Sequence, residues 1–224
     1  MKYIITGTSS GLGRCLAEKL ISKGHVLGIS RTSTCSEKLI KSDFFLNINY
    51  DFSINSNSNF FSNLIDQVKI FTAEDNFCLI LNAANFYSSN VRLSHSTLTS
   101  LFEVNVFSII NLFNELKNLK LKRVLIINSI SGLIGNSQQH EYSASKHAVM
   151  GFARSLAKSS KNENYDVMCI NPGGMKTELW EKYTQVDTAD FLTPETVADV
   201  CISLLSIPQR TFIENMSILP PSDV

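Results

Sequence analysis

Three polar side chains in the middle of the chain have the types and spacing needed to move a proton. Ser129 ends an apolar run, Tyr142 follows it by 13 residues, and Lys146 lies four residues further on. A separation of four residues places the phenol and the ammonium on one face of a helix. A phenol has an unperturbed pKa of about 10, and an adjacent ammonium lowers that pKa by favouring the phenolate. We therefore expect Tyr142 to exchange a proton at neutral pH, assisted by Lys146, while Ser129 donates a hydrogen bond to a reacting oxygen.

A glycine-rich loop near the N-terminus is the second segment suited to chemistry. Gly7, Gly11 and Gly13 separate a short apolar run from a helix-period pattern that includes Leu16. Glycines permit a tight turn and a close approach of the backbone to a ligand, and the N–H groups that open a helix attract a pyrophosphate. Three such glycines also occur in simple tight turns, but their position between a strand and a helix favours a dinucleotide site.

The end of the second apolar run bears on which dinucleotide binds. A fold specific for NAD usually has an acidic residue there, and positions 28–34 contain neither Asp nor Glu. Arg31 can instead hold a 2′-phosphate through a bidentate contact, and Ser30 or Thr32 can add a hydroxyl donor. These residues favour NADP(H) over NAD(H). The alternative for Arg31 is a charge on a solvent-exposed loop.

The elements that must position these residues alternate along the chain. Short runs rich in Ile, Val and Leu are separated by longer amphipathic stretches, which is typical of strands covered on both faces by helices. The sequence thus predicts an α/β, Rossmann-like, doubly wound and mainly parallel sheet, whose ligands bind at the carboxyl ends of the strands. The seven predicted strands lie at 3–6, 26–30, 44–48, 77–81, 123–128, 166–170 and 211–219, and the predicted helices near 12–23, 60–71, 97–119, 141–160 and 194–206.

Length and charge limit the classes of protein and partner. The 224 residues suffice for one α/β domain, which we expect to span 1–224, and leave no room for a large second domain. Twenty basic side chains balance 20 acidic ones, so we expect no nucleic-acid partner. The five cysteines include no CxxC pair, which argues against disulfides and structural zinc and favours the cytoplasm. No apolar run reaches the roughly 20 residues of a membrane span, so we expect no membrane association and no signal peptide.

Helix 97–119 carries apolar side chains on more than one side. One face should cover the sheet. The apolar side chains outside that face indicate either a subunit contact or a second face buried within the monomer. We expect a homodimer or homotetramer.

Five motifs in order resemble those of the short-chain dehydrogenase/reductase family, and the resemblance covers nearly the whole chain. It implies an α/β fold that binds a nicotinamide dinucleotide and a tetrad in which Asn105 holds a water that links Lys146 to solvent. Lys146 is also implied to bind the nicotinamide ribose, and Tyr142 to be the general acid or base. The motifs are the Thr-Gly loop at 6–13, Asn105 between two valines, Ser129, the Tyr-x-x-x-Lys at 142–146, and the Pro-Gly loop at 171–177.

The same resemblance implies the cofactor contacts. In the segment Asn82-Ala83-Ala84-Asn85, asparagine replaces the family's final glycine. Asparagine tolerates the left-handed backbone region, so the turn can survive, and its side chain is a candidate specificity feature. The expected contacts are Gly7, Ser9, Ser10, Gly11, Leu12 and Gly13 at the phosphates; Ser30, Arg31 and Thr32 at the 2′-phosphate, from their residue types alone; Asn47 and Ile48, after strand three, at the adenine; Asn82, Ala83 and Ala84 after strand four; Tyr142 and Lys146 at the reacting end, Lys146 on the nicotinamide ribose; and Pro172, Gly173, Met175 and Thr177 against the nicotinamide carboxamide and the phosphates.

The leading hypothesis is an NADP(H)-dependent oxidoreductase that transfers hydride between the nicotinamide and a carbonyl or secondary alcohol. The segment around 178–193 is short for a substrate cover, which favours a bulky substrate, and Phe86, Tyr87, Trp180 and Tyr183 are candidate walls. One alternative is a protein that senses NADP(H) and regulates a partner. Another is a sugar-nucleotide epimerase or dehydratase, for which the chain has no residues to spare. We expect no metal, because His140 and His147 lack neighbouring ligands.

Overall fold

A seven-stranded, entirely parallel sheet organises the structure, which is a computed structural model. It describes residues 1–34, 36–54, 59–88, 92–179, 187–211 and 213–221. The strands are β1 (Lys2–Thr6), β2 (His25–Ser30), β3 (Phe45–Asn49), β4 (Phe77–Leu81), β5 (Leu121–Ile127), β6 (Asp166–Pro172) and β7 (Met216–Ile218). Their order in the sheet is β3-β2-β1-β4-β5-β6-β7. This order confirms the predicted Rossmann-like, doubly wound fold, because successive strands extend the sheet outwards from β1 in both directions.

Helices cover the two faces of the sheet and create two hydrophobic cores. Every residue of the central strand β4 is buried, which explains why such strands appear in the sequence as continuous apolar runs. The helices are α1 (Gly11–Leu20), α2 (Glu37–Ile40), α3 (Asn59–Thr72), α4 (His95–Phe102), α5 (Ser108–Leu116), α6 (His140–Ser159) and α7 (Pro194–Ser206). One core lies under α3, α5 and α6, and the other lies under α1 and α7.

Two elements differ from the sequence prediction. The last strand covers three residues because it is an edge strand that pairs only with the end of β6, from Ile170↔Met216 to Pro172↔Ile218. The chain before it is not extended throughout, since Arg210 has a φ of 67°. Helix α2 was not predicted because four residues are too few to show a helical period. Its start depends on Ser36, whose side chain accepts a hydrogen bond from the N–H of Leu39.

The predicted helix 97–119 is an interrupted element rather than one regular helix. A π-helical turn, Glu103–Phe107, joins α4 to α5. The stretch His95–Leu116 is long and apolar enough to cross a bilayer, with a mean hydropathy of 1.3, but core helices of soluble proteins also meet this criterion and 44% of its most apolar window is buried. One face packs on the sheet through Leu112 and Phe113, while Phe107 is 45% exposed. The monomer therefore leaves part of the apolar surface of this stretch exposed to solvent.

Candidate functional site

A cleft of about 420 Å³ opens at the carboxyl ends of the strands. Its position follows from the topology, because β1 and β4 lie side by side and their outgoing chains diverge there. Most of the residues implied as cofactor contacts line it: Gly7, Ser9, Ser10, Gly11, Leu12, Ser30, Arg31, Asn82, Ala83, Ala84, Tyr142, Lys146, Met175 and Thr177. The structure does not place Gly13, Thr32, Asn47, Ile48, Pro172 and Gly173 on its wall.

The glycine loop has the backbone shape that a phosphate site requires. Gly7 and Gly11 have φ values of 78° and 50°, in the region that favours glycine. A Cβ on Gly13 would overlap the carbonyl oxygen of Gly7, so this third glycine allows the loop to close on itself. Ser10 precedes α1 without a side-chain cap, and the first turn contains no acidic residue. The opening N–H groups of α1 are therefore suited to an anion, and the loop fits the phosphates of a dinucleotide.

The residues at the end of β2 divide into exposed and buried groups. Arg31 is exposed and lines the cleft, where its guanidinium can meet a phosphate. Ser30 is buried, and its hydroxyl donates to the Thr32 carbonyl oxygen at 2.8 Å. Thr32 is exposed outside the cleft wall. Of the three predicted donors, Arg31 is thus the charged one that lines the cleft.

The expectation that Asn47 and Ile48 follow the third strand is wrong. Both lie inside β3, where Ile48 packs in the core and the Asn47 side chain donates to the Asn49 amide oxygen at 2.6 Å. The cleft wall at this strand end consists of Asp51 and Phe52. The prediction ended the strand about one residue too early and took its adenine contact from inside it. An acidic residue followed by an apolar one, directly after the strand, was the signal available.

Tyr142 and Lys146 lie on the same face of α6, as their spacing predicted. Lys146 Nζ is 5.7 Å from the centroid of the Tyr142 ring and donates to the Ile127 carbonyl oxygen at 3.4 Å. The Tyr142 hydroxyl forms a side-chain hydrogen bond with Ser129, which lies two residues after the end of β5. A Cβ on Gly132 would lie only 2.6 Å from the Lys146 carbonyl oxygen, so a glycine lets this loop touch α6. Three members of the expected tetrad are therefore neighbours, and of these Tyr142 and Lys146 line the cleft, whereas Ser129 does not.

Burial determines the protonation of these groups. It raises the pKa of Tyr142 to about 12, although the hydrogen bond with Ser129 favours the phenolate. It lowers the pKa of Lys146 to about 8, partly offset by Cys169 nearby. The net shift of the Tyr142 pKa is therefore opposite to the direction expected from an adjacent ammonium, because burial is its largest cause. Burial thus shifts both pKa values towards the neutral form, although a Lys146 pKa of about 8 leaves this lysine mostly protonated at pH 7.

Asn105, the fourth member, lies in the π-helical turn and is fully buried. Its amide oxygen accepts from the Asn85 N–H at 2.7 Å, and its amide nitrogen donates to the Asn85 carbonyl oxygen at 2.9 Å. The same nitrogen donates to Ser145 Oγ at 3.0 Å, and that hydroxyl donates to the Tyr142 carbonyl oxygen at 2.7 Å. The Asn105 side chain therefore ties the loop after β4 to the first turn of α6. Asn85 does not have a positive φ, so its tolerance of the left-handed region is not used.

Aromatic and acidic side chains complete the cleft. Phe86 is buried and contacts the Tyr142 ring edge to face, with centroids 5.0 Å apart. Tyr87 also lines the cleft, whereas Trp180 and Tyr183 lie outside the described residues. Glu178, which the sequence prediction missed, lines the cleft directly after the Pro-Gly loop.

The Pro-Gly loop contributes its later residues to the cleft. Pro172 ends β6, and the Gly173 N–H donates to the Ile218 carbonyl oxygen at 2.8 Å, so both belong to the sheet edge. Met175 forms a parallel bridge with Leu192, which holds the base of the segment that follows. Thr177 packs against the glycine loop, with its methyl 3.2 Å from a Cβ built on Gly11.

The remaining candidates from the sequence are a metal site, His147 and Cys15. Within the described residues, no group of three or more His, Cys, Asp or Glu side chains could hold a metal ion. His147 Nδ1 hydrogen-bonds the Ser143 carbonyl oxygen of its own helix at 2.9 Å. Cys15 donates to Glu195 Oε1 at 3.3 Å, and burial followed by this bond raises the pKa of its thiol to about 12.

Replacing Lys146 by Met is expected to stabilise the fold at neutral pH. The folded pKa of about 8 lies below the ordinary value of 10.5, so the unfolded chain binds more protons between these pH values and stability rises with pH across them. Below pH 8 the buried charge lowers the free energy of unfolding by about 3 kcal/mol, and the substitution removes this cost. The substitution also removes the hydrogen bond to Ile127, which offsets about 1 kcal/mol of the gain. Urea unfolding should show Lys146→Met about 2 kcal/mol more stable at pH 7, with the advantage gone by about pH 10.

The control for this prediction is Lys158→Met, at an exposed position near the end of the same helix. Its unfolding free energy should stay close to that of the unmodified chain at both pH values. A Lys146→Met variant that unfolds more easily at pH 7 would contradict the assignment of an unfavourable buried charge.

Comparison with known proteins gives consistent matches. A model of the short chain dehydrogenase family matches residues 2–187. The 3-oxoacyl-[acyl-carrier-protein] reductase FabG of Buchnera aphidicola subsp. Acyrthosiphon pisum is 27% identical, covering 90% of this chain and 88% of the relative. The FabG of Aquifex aeolicus is 28% identical, covering 91% and 89%.

Solved structures share the fold. A 4-hydroxyisoleucine dehydrogenase mutant complexed with NADH and succinate has a TM-score of 0.83 at 23% identity, covering 98% of this chain and 97% of that one. The closed form of serine dehydrogenase complexed with NADP⁺ has a TM-score of 0.79 at 19% identity, covering 97% and 94%. At such identities the likeness establishes the architecture.

Proposed function

Because this chain belongs to the short chain dehydrogenase family of oxidoreductases, we propose that it transfers hydride between NADP(H) and a carbonyl or secondary alcohol. The observation that carries the proposal is the proximity of Ser129, Tyr142 and Lys146, of which Tyr142 and Lys146 line the cleft. A neutral phenol hydrogen-bonded to a serine hydroxyl can receive a carbonyl oxygen between two donors.

In the direction of reduction, Tyr142 gives its proton to the substrate oxygen while Ser129 holds that oxygen in place. NADP(H), when bound, supplies or accepts the hydride. The phenolate left on Tyr142 is stabilised by Lys146, whose Nζ lies 5.7 Å from the ring centroid. A lysine with a pKa of about 8 can both hold and release a proton near neutral pH, which suits it to reprotonate Tyr142. Asn105 acts by positioning, since its side chain is occupied by Asn85 and Ser145.

A carbonyl panel followed by NADPH absorbance tests the activity. It includes ketones, quinones, sugars and 3-oxoacyl thioesters, because two relatives are named for reducing 3-oxoacyl-[acyl-carrier-protein]. We expect NADPH oxidation with at least one bulky or extended carbonyl. Tight NADPH binding without any turnover would instead favour the alternative, a protein that senses NADP(H) and regulates a partner.

The preference for NADP(H) is supported by Arg31 and by the lack of an acidic residue at 28–34. We expect Arg31→Ala to weaken NADPH binding about tenfold and to leave NADH binding nearly unchanged, because only NADPH carries the 2′-phosphate. Calorimetry with both cofactors measures the two affinities.

Arg154→Ala is the matched control for this prediction, since Arg154 is exposed on α6 and does not line the cleft. It should leave both affinities unchanged. If the unmodified chain bound NADPH and NADH equally, the proposed preference would be wrong.

We extend the proposal to the organisation of the protein. Residues 1–224 act as one dinucleotide-binding domain, with a short substrate segment around 178–193. The apolar surface around Phe107 supports a homodimer or homotetramer. A cytoplasmic location is supported by Cys15, Cys78, Cys169 and Cys201, which are all free and buried.

A further inference from the structure

A carboxylate lies at the phosphate end of the cleft. Glu178 lines the wall there together with Ser10 and Gly11. Its Oε1 accepts a hydrogen bond from Arg14 Nη2 at 3.0 Å, and its Oε2 is 3.8 Å from a Cβ built on Gly11. One oxygen therefore faces the guanidinium of α1, and the other faces the amino end of the same helix.

The first turn of α1 is otherwise arranged to attract an anion. It contains no acidic residue, and Ser10 gives it no side-chain cap. The helix dipole and the Arg14 guanidinium contribute positive potential at this end of the cleft, and the Glu178 carboxylate opposes it. The pair is half-buried, with side-chain exposures of 28% for Arg14 and 40% for Glu178. At that exposure, its charges act on a ligand through a dielectric between those of protein and water.

We propose that Glu178 weakens dinucleotide binding, because it engages Arg14 and places a negative charge beside the pyrophosphate site. This inference depends on the proposed function in one respect, that the cleft binds a nicotinamide dinucleotide. The carboxylate acts on the pyrophosphate, which NADPH and NADH share. Glu178 therefore sets the affinity for both cofactors together, whereas Arg31 acts on their ratio. A lower affinity speeds the release of the spent cofactor.

A second ion pair on α1 provides a control for the effect of joining this helix to another element. Lys19 Nζ lies 2.7 Å from Asp199 Oδ1, which joins α1 to α7 as Arg14–Glu178 joins α1 to the loop after β6. Neither Lys19 nor Asp199 lines the cleft. Asp199→Asn is therefore a matched control that removes one carboxylate charge bound to α1 at a distance from the phosphates.

The test is calorimetric titration of the full chain with NADPH and with NADH, for the unmodified protein, Glu178→Gln and Asp199→Asn. We expect Glu178→Gln to lower both Kd values about 5- to 15-fold with an unchanged ratio, and Asp199→Asn to change neither. Raising the salt concentration should reduce the gain of Glu178→Gln, since screening weakens the repulsion that the substitution removes. A thermal unfolding midpoint recorded for each variant verifies that it is folded.

Unchanged Kd values in Glu178→Gln would overturn the inference. Raised Kd values would overturn it too, and would mean that Glu178 holds Arg14 in place for the cofactor. A gain for one cofactor alone would overturn it as well. Failure of every variant to bind either dinucleotide would contradict both this inference and the proposed function. Binding with the expected gain, but no reduction of any carbonyl, would refute the oxidoreductase proposal and leave the role of Glu178 supported.

Discussion

Tyr142→Phe is expected to lose turnover by roughly 100- to 10,000-fold while binding NADPH nearly as well as the unmodified chain. The substitution removes the hydroxyl that hydrogen-bonds Ser129 and that donates the proton in our proposal. It keeps the ring, so the edge-to-face contact with Phe86 and the approach of Lys146 are retained. Steady-state rates with a substrate from the carbonyl panel, together with calorimetric NADPH affinities, measure the two effects separately.

Tyr165→Phe is the matched control for this loss. Tyr165 is buried against Phe113 just before β6, at the opposite end of that strand from the cleft. The same chemical change there should leave turnover intact. A Tyr142→Phe variant that kept most of its rate would show that another group supplies the proton.

Asp166→Asn is expected to lower the free energy of unfolding by about 3 kcal/mol without changing the rate per folded molecule. Arg123 and Asp166 are each only 4% exposed, and their charged groups lie 3.1 Å apart. Arg123 also donates to the carbonyl oxygens of Leu204, Leu205 and Ile207 at 2.8–3.1 Å, so it holds the end of α7. Without the carboxylate, the guanidinium remains buried and uncompensated. Both residues lie towards the amino ends of β5 and β6, away from the cleft.

Urea unfolding of a double-mutant cycle tests this expectation. Asp166→Asn should cost less in an Arg123→Met background than in the unmodified chain, because no buried charge is then left alone. Asp199→Asn, which breaks the exposed pair with Lys19, should cost at most about 1 kcal/mol. Equal costs of Asp166→Asn in both backgrounds would mean that the ion pair does not couple the two residues.

Local patterns in the sequence were sufficient for the fold and for part of the site. Strands buried on both faces require continuous apolar runs, so β4 was located to the residue. The glycine loop was also predictable, because the φ values of Gly7 and Gly11 and the tight approach at Gly13 restrict the residue type at those positions. Tyr142 and Lys146 were placed together because four residues along one helix are neighbours in any fold.

Other features depend on residues far apart in the chain and had no local signal. The bond between Arg14 and Glu178 spans 164 positions, and the bonds from Asn105 to Asn85 and Ser145 span 20 and 40. Asn47 and Ile48 were expected after the third strand and lie inside it, because a shift of a few residues at a strand end changes which side chains reach the cleft.

Residue types and short spacings thus identified the chemistry that this chain can carry out, since strands, helical turns and glycine conformations obey local rules. The protonation of Tyr142 and Lys146 was decided by the folded environment, because burial shifts both pKa values towards the neutral forms. The charge at the phosphate end was likewise set by tertiary structure, which brings Glu178 to Arg14 and Gly11. Desolvation and Coulomb interactions depend on distances in space, and those distances exist only after the chain has folded.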